Sequence, residues 1–190
     1  MKWRKHLEIP EDSHAFLGGS KYSWTNMSED ELVQSYNNYL AVQRGTILHN
    51  FACDCIKLKQ RLPDVPETLN MYVNDAIDFN MTPEQPLYYS PNAFGKADAI
   101  SFEDYILRIH DLKTGKIPAS FRQLEVYTSL FLLEYDVRFS DLRDIELRIY
   151  QNNKVMIGHP KIDDILPIMD KLVSFDRMIA RIKEDNYYGS

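Results

Sequence analysis

A chain of 190 residues, 44% hydrophobic and 26% charged, is long enough to bury a real core and is expected to be soluble and globular. Its net charge of −6 excludes a simple basic protein that coats nucleic acid, though not an enzyme with a local cationic groove and a metal ion. No apolar run approaches the ~20 residues of a membrane span, the basic start Met1–His6 leads into no apolar segment of the signal-peptide kind, and the expected compartment is the cytoplasm.

In chain order, residues 1–25 read as irregular, with Pro10, Gly18-Gly19 and several aromatics. Ser28 and Glu31 have capping-box spacing, so a helix should begin there. A break is expected near Arg44-Gly45. From Thr46 to about Lys59, Ile47, Leu48, Phe51, Ala52, Cys55 and Leu58 recur at helical spacing. Pro63 and Pro66 punctuate the chain, and a short helix over 67–78 follows. Strands are predicted over 85–90, 93–102 and 105–112, then a helix over 120–134. A strand over 144–151, a tight turn at Asn152-Asn153 and a return strand over 154–158 come next. A helix over 161–185 and a frayed tail over 186–190 complete the chain. This order predicts one mixed α/β domain over 1–190.

The only cysteines, Cys53 and Cys55, lie two apart in a helical pattern and point to different faces. Two thiols exclude a four-thiolate zinc or iron–sulfur site within one chain. Reduced thiols, one of them buried, are expected.

The chemistry concentrates around Asp111-Leu112-Lys113, which ends the apolar run 105–110. Asp98 stands on the strand before it, in Gly95-Lys96-Ala97-Asp98. Strand alternation predicts Asp98 and Ile100 on one face with Ala99 on the other, and Asp111 beside Lys113 on one face. Two carboxylates on adjacent strands and a nearby lysine can hold a hard divalent cation and poise a water, as phosphodiester hydrolysis needs. The plain alternatives are a turn-capping acid at Asp98 and a surface ion pair between Asp111 and Lys113. His49, inside a helical pattern, is either a packing residue or a nitrogen ligand. Gln123 and Tyr127, four apart on one helix face, either pack and solvate in the ordinary way or aim at the metal site or substrate. Arg44, Lys96, Lys113, Lys116 and Arg122 lie near these residues in sequence, but neighbouring acids balance them.

Four short segments in order resemble the PD-(D/E)xK nuclease superfamily, specifically its RecB-type exonuclease branch. They are Gly45-Thr46-Ile47-Leu48-His49, Gly95-Lys96-Ala97-Asp98, Asp111-Leu112-Lys113 and Gln123-Leu124-Glu125-Val126-Tyr127, spanning roughly residues 44–130. The resemblance implies a restriction-endonuclease-like core, with a central mixed β-sheet flanked by helices. It implies that His49, Asp98, Asp111 and the Leu112 backbone carbonyl ligate Mg²⁺ or Mn²⁺. Lys113 would orient or help deprotonate the attacking water, and Gln123 and Tyr127 would position substrate. Compact bacteriophage-encoded recombination exonucleases are similar in size and arrangement, which would place the chain in a bacterial host cell. Relatives with a four-cysteine iron–sulfur cluster differ, because Cys53 and Cys55 cannot supply one. The expected activity is therefore a metal-dependent deoxyribonuclease, an exonuclease working from DNA ends in recombination, repair or phage DNA processing. The expected partners are DNA and either further copies of the chain or a recombination or helicase protein. Two other classes fit the residues less well: an inactive nuclease-fold module that binds DNA ends or a recombination partner, and a phosphatase acting on small molecules.

Overall fold

The computed structural model describes residues 3–4, 6–7 and 14–188, with side chains up to 185. The expected irregular stretch around Pro10 and the last two residues of the expected frayed tail lie outside the described residues. The chain divides into two compact units, Met1–Arg44 and Gly45–Ser190, with the boundary inside a long helix. In the first unit a 3₁₀ helix, Gly19–Asn26, occupies the end of the stretch expected to be irregular. Trp24 donates its indole N–H to the Gly18 carbonyl at 3.2 Å, and Phe16 packs against Tyr36 and Tyr39 with ring centroids 5.1 and 5.4 Å away.

The long helix is α1, Glu29–Lys57. Its start is the expected capping box: the Ser28 N–H donates to Glu31 Oε2 at 2.8 Å, and the Glu31 N–H donates to Ser28 Oγ at 3.3 Å. The predicted break at Arg44-Gly45 does not occur. A helical glycine costs only about 1 kcal/mol relative to alanine, too little to stop a helix of 29 residues. Gly45 has a packing role instead, since a Cβ there would sit 3.0 Å from Thr114 Oγ1.

The second unit continues with α2, Thr68–Asp78. Strands β1, Thr82–Ser90, β2, Ala93–Glu103, and β3, Ile106–Leu112, follow. Next come α3, Arg122–Glu134, β4, Asp144–Gln151, β5, Lys154–Gly158, and α4, Ile162–Tyr188. The five strands form one sheet in the order β1-β2-β3-β4-β5. Only the β3–β4 pairing is parallel. A parallel pair needs a crossover, and α3 supplies it. The molecule is thus α/β with a five-stranded mixed sheet flanked by helices, as expected. β1 begins three residues before its predicted start. Pro83 and Pro86 mask it in sequence, but β1 is an edge strand, where proline is tolerated. α4 runs to Tyr188 rather than 185, because no helix-breaking residue appears before Gly189.

The sheet has a core on each face. Under α3 and α4, Leu107, Ile109, Leu147 and Ile149 pack with Leu124, Phe131 and Ile165. On the other face, Ala99, Leu112 and Tyr150 pack with Ala52 and Ile56 of α1 and with Tyr72, Val73 and Ala76 of α2. Both cysteines are buried, where one was expected. α2 is also held by polar contacts: the Tyr150 hydroxyl and Arg148 Nη1 both donate to Asp75 Oδ2, at 2.6 and 2.8 Å. Phe79 receives the guanidinium groups of Arg108 and Arg148, 4.8 and 4.6 Å from its centroid. Among the described residues no helix is long and apolar enough to cross a membrane.

Candidate metal centre

The site begins with an irregularity between β1 and β2. Ala97 and Ala99 are two apart and should share a face, yet Ala97 joins the core under α3 and Ala99 the core under α1 and α2. Pairing runs Pro83 to Ala99 and Gln85 to Ala97, leaving Glu84 and Asp98 between them. Glu84 takes φ 54°, a left-handed conformation foreign to a strand. The expected alternation of Asp98 and Ile100 on one face against Ala99 is therefore overturned, since Ala99 and Asp98 both face helix α1 or α2 while Ile100 lies under α3. A non-glycine outlier of this kind persists only where its surroundings hold it, and such outliers gather at functional sites.

The irregularity brings Asp98 to His49 on α1. Asp98 Oδ2 lies 3.5 Å from His49 Nδ1 and accepts the Leu112 N–H at 2.9 Å. One donor atom each from His49, Glu84 and Asp98 falls within 4.8 Å of the other two. That is within about half an ångström of the ~4.2 Å separating donors on opposite sides of a cation held at ~2.1 Å. Asp111 is only 2% exposed. Its Oδ1 pairs with Lys113 Nζ at 3.0 Å, while its Oδ2 is buried with no hydrogen-bond partner.

The electrostatics follow from this crowding. Burial, and then the charge of Asp111, push the Asp98 carboxyl up to about 6, against the opposing pull of His49 and the Leu112 amide. Burial also raises Asp111, opposed by Lys113 and His49. Lys96, which pairs with Glu84, and Lys113 are the lysines set against three carboxylates. A divalent cation fits the group formed by His49, Glu84 and Asp98, where it would supply the missing positive charge. The two carboxylates and one imidazole of this group could hold a metal ion.

The lysine opens a hydrogen-bonded relay. Lys113 Nζ donates to Gln123 Oε1 at 2.8 Å, and Gln123 Nε2 donates to the Tyr127 hydroxyl at 2.9 Å. Gln123 and Tyr127 share a face of α3, as expected, and that face meets Lys113. Tyr127 lies so close over β2 that a Cβ on Gly95 would be 2.7 Å from its Cε1. Gly45 and Gly95 are thus spacers that let α1 and α3 approach the strand ends carrying the acids.

The structure brings together all six predicted side chains: His49, Asp98, Asp111, Lys113, Gln123 and Tyr127. What it shows of Leu112 is its amide, bound to Asp98. Sequence reasoning missed Glu84. Its signal was faint: an acid between Pro83 and Pro86, in a stretch without strand alternation. The weak basic patch stays weak, for Lys96 pairs with Glu84 and Arg122 with Glu125. No family model, curated protein or solved structure matches this chain.

Proposed function

We propose that this chain is a Mg²⁺- or Mn²⁺-dependent deoxyribonuclease that hydrolyses phosphodiester bonds, acting from DNA ends. The observation that carries the reading is the lysine between two roles: Lys113 Nζ is held by Asp111 Oδ1 and Gln123 Oε1, beside a buried Asp111 oxygen that lacks a partner. His49, Glu84, Asp98 and Asp111 would hold the cation. Such an ion, when bound, lowers the pKa of its water and offsets charge on the phosphate.

The protein's own part is positional. Gln123 and Tyr127 fix the Lys113 ammonium, so that it meets the attacking water and the phosphate oxygens without reorganising. Water attacks phosphorus in line and gives up a proton to solvent, the bond to the leaving sugar oxygen breaks, and that oxygen leaves with a proton taken from solvent. Lys113 carries its positive charge next to the phosphate as negative charge grows there. Burial of Asp98 and Asp111 keeps competing water away from the acids. Support for DNA as substrate comes from the four segments that resemble RecB-type exonucleases, whose candidate side chains include the His49–Asp98 pair and the Asp111–Lys113–Gln123–Tyr127 chain of contacts.

The test is digestion of labelled DNA by the full chain with Mg²⁺ or Mn²⁺, beside the variant Asp111→Asn. We expect metal-dependent cleavage that Asp111→Asn abolishes while circular dichroism stays native. A folded Asp111→Asn protein that cleaves at near-normal rate would overturn the reading. Hydrolysis of small phosphoesters without cleavage of any nucleic acid would replace it with a phosphatase.

A further inference from the structure

Beside Lys113 the second unit opens a cleft of ≈ 350 Å³. Its floor is apolar, made by Leu48, Leu69 and Leu112. Its rim is polar, with Lys113, Asn152 and the pair Thr68 and Asn153. The rim is fixed. Asn153 Oδ1 accepts the Thr68 N–H and hydroxyl, both at 3.1 Å, and the Asn153 N–H donates to Thr68 Oγ1 at 2.7 Å. These bonds clamp the β4–β5 turn to the start of α2. Asn152 and Asn153 hold φ of 52° and 57°, as a tight hairpin turn requires. The clamp uses Asn153 and leaves the exposed Asn152 amide free at the rim.

The charge of the cleft is distinctive. The chain has 28 acidic residues, yet none lines this cleft, and Lys113, whose Nζ also pairs with Asp111 Oδ1 at 3.0 Å, is its one formally charged group. An anionic ligand with a flat apolar body and hydrogen-bonding edges matches that lining. The phosphate would meet Lys113, the body would lie on the leucines, and the amide of Asn152 would face an edge, as Asn side chains do with bases. The volume is near the lower end of the roughly 300–1,000 Å³ range for small-ligand pockets, enough for one nucleoside. A base stacked within a duplex cannot enter it without leaving the stack, which costs a few kcal/mol unless the strand is already single.

We infer that the cleft formed by Leu48, Leu69, Leu112 and Asn152 seats the unstacked nucleoside next to the scissile phosphate, making single-stranded DNA the preferred substrate. The inference rests on the nuclease reading above. The test compares the full chain with Leu48→Trp, which fills the floor from an exposed helix position, and Asn152→Gly, which removes the amide while keeping the left-handed turn. Cleavage of a labelled single-stranded oligonucleotide and of the same sequence as a blunt duplex is followed with Mn²⁺. Anisotropy of the single strand is measured with each change built into the inactive Asp111→Asn protein. The unaltered protein should favour the single strand. Both variants should raise its KM by about tenfold, the scale of one lost base contact, with kcat within about threefold. Both should weaken single-strand binding by a similar factor. Unchanged KM and binding in both variants, or preference of the unaltered protein for the blunt duplex, overturns the cleft assignment and leaves the nuclease reading standing. No cleavage of any DNA by the unaltered protein overturns both.

Discussion

Asp111 Oδ2, buried with nothing to bind, and Glu84, in a conformation a strand residue avoids, both cost free energy in the metal-free protein. A bound cation would offset both, and the two sets of residues around it should separate in a metal titration. Glu84→Gln should weaken Mn²⁺ affinity by at least about tenfold, since losing even an outer-shell partner of a ligand costs that much. Lys113→Ala should remove cleavage but keep Mn²⁺ affinity, because a protonated lysine is no ligand. Calorimetry of both variants checks this, and equal loss of affinity in the two would contradict the division. Acidity provides a second handle. Asp98 is raised to about 6 from 3.8, so the folded state holds its proton more tightly than the unfolded chain does. Its contribution to stability is therefore full below pH ~4 and lost as pH rises through 6, on the order of 2–3 kcal/mol. The thermal midpoint of metal-free Asp98→Asn minus that of the unaltered protein should grow between pH 4 and 7. Stabilisation by Mn²⁺ should fade below pH ~6, where the proton competes with the ion. A difference that stays flat with pH would show that Asp98 titrates normally.

At the scale of elements, the site depends on how closely helices approach strand ends. Gly95 lets α3 bring Tyr127 over β2. Gly95→Ala should drive that ring away, loosen Gln123 and Lys113, and cost about 1–3 kcal/mol of stability. Melting curves and kcat should both fall. Adding Tyr127→Ala should restore the melting temperature without restoring kcat, because the clash is removed but the relay is still broken. Failure to restore the melting temperature would locate the strain elsewhere. Most elements were legible in sequence because their signals are local. Ser28 and Glu31 are three residues apart, and β4, Asn152-Asn153 and β5 are marked by alternation and a turn within 15 residues. β1 was less legible, because Pro83 and Pro86 are acceptable only on a sheet edge, and edge position is decided by pairing with β2. Gly45 was misread as a break for the same kind of reason: its partner, Thr114, is remote in sequence.

For the whole molecule, the proposed reading places DNA at a site in the second unit, whose sheet has both faces covered. Acidic overall charge also gives little non-specific grip along duplex DNA. Productive binding should therefore begin at an end. We expect linear DNA to be degraded while covalently closed circles persist, read on a gel after incubation with Mg²⁺ or Mn²⁺. Discrete fragments from closed circles would mark an endonuclease and remove the exonuclease label.

By itself the sequence marked the α/β order and the start of α1, through local periodicity and capping, while its resemblance to RecB-type exonucleases singled out His49, Asp98, Asp111, Lys113, Gln123 and Tyr127 as candidates. Tertiary structure decided which of them meet. Asp98 reaches His49 only because Glu84 disrupts the alternation between two paired strands. Glu84 joins the centre only because β1 lies beside β2, and Asn152 reaches the cleft only because Asn153 is clamped to Thr68, 85 residues away in sequence. Local patterns encode elements. A charged centre assembled from a helix and three strands is encoded in the packing that closes long loops between them.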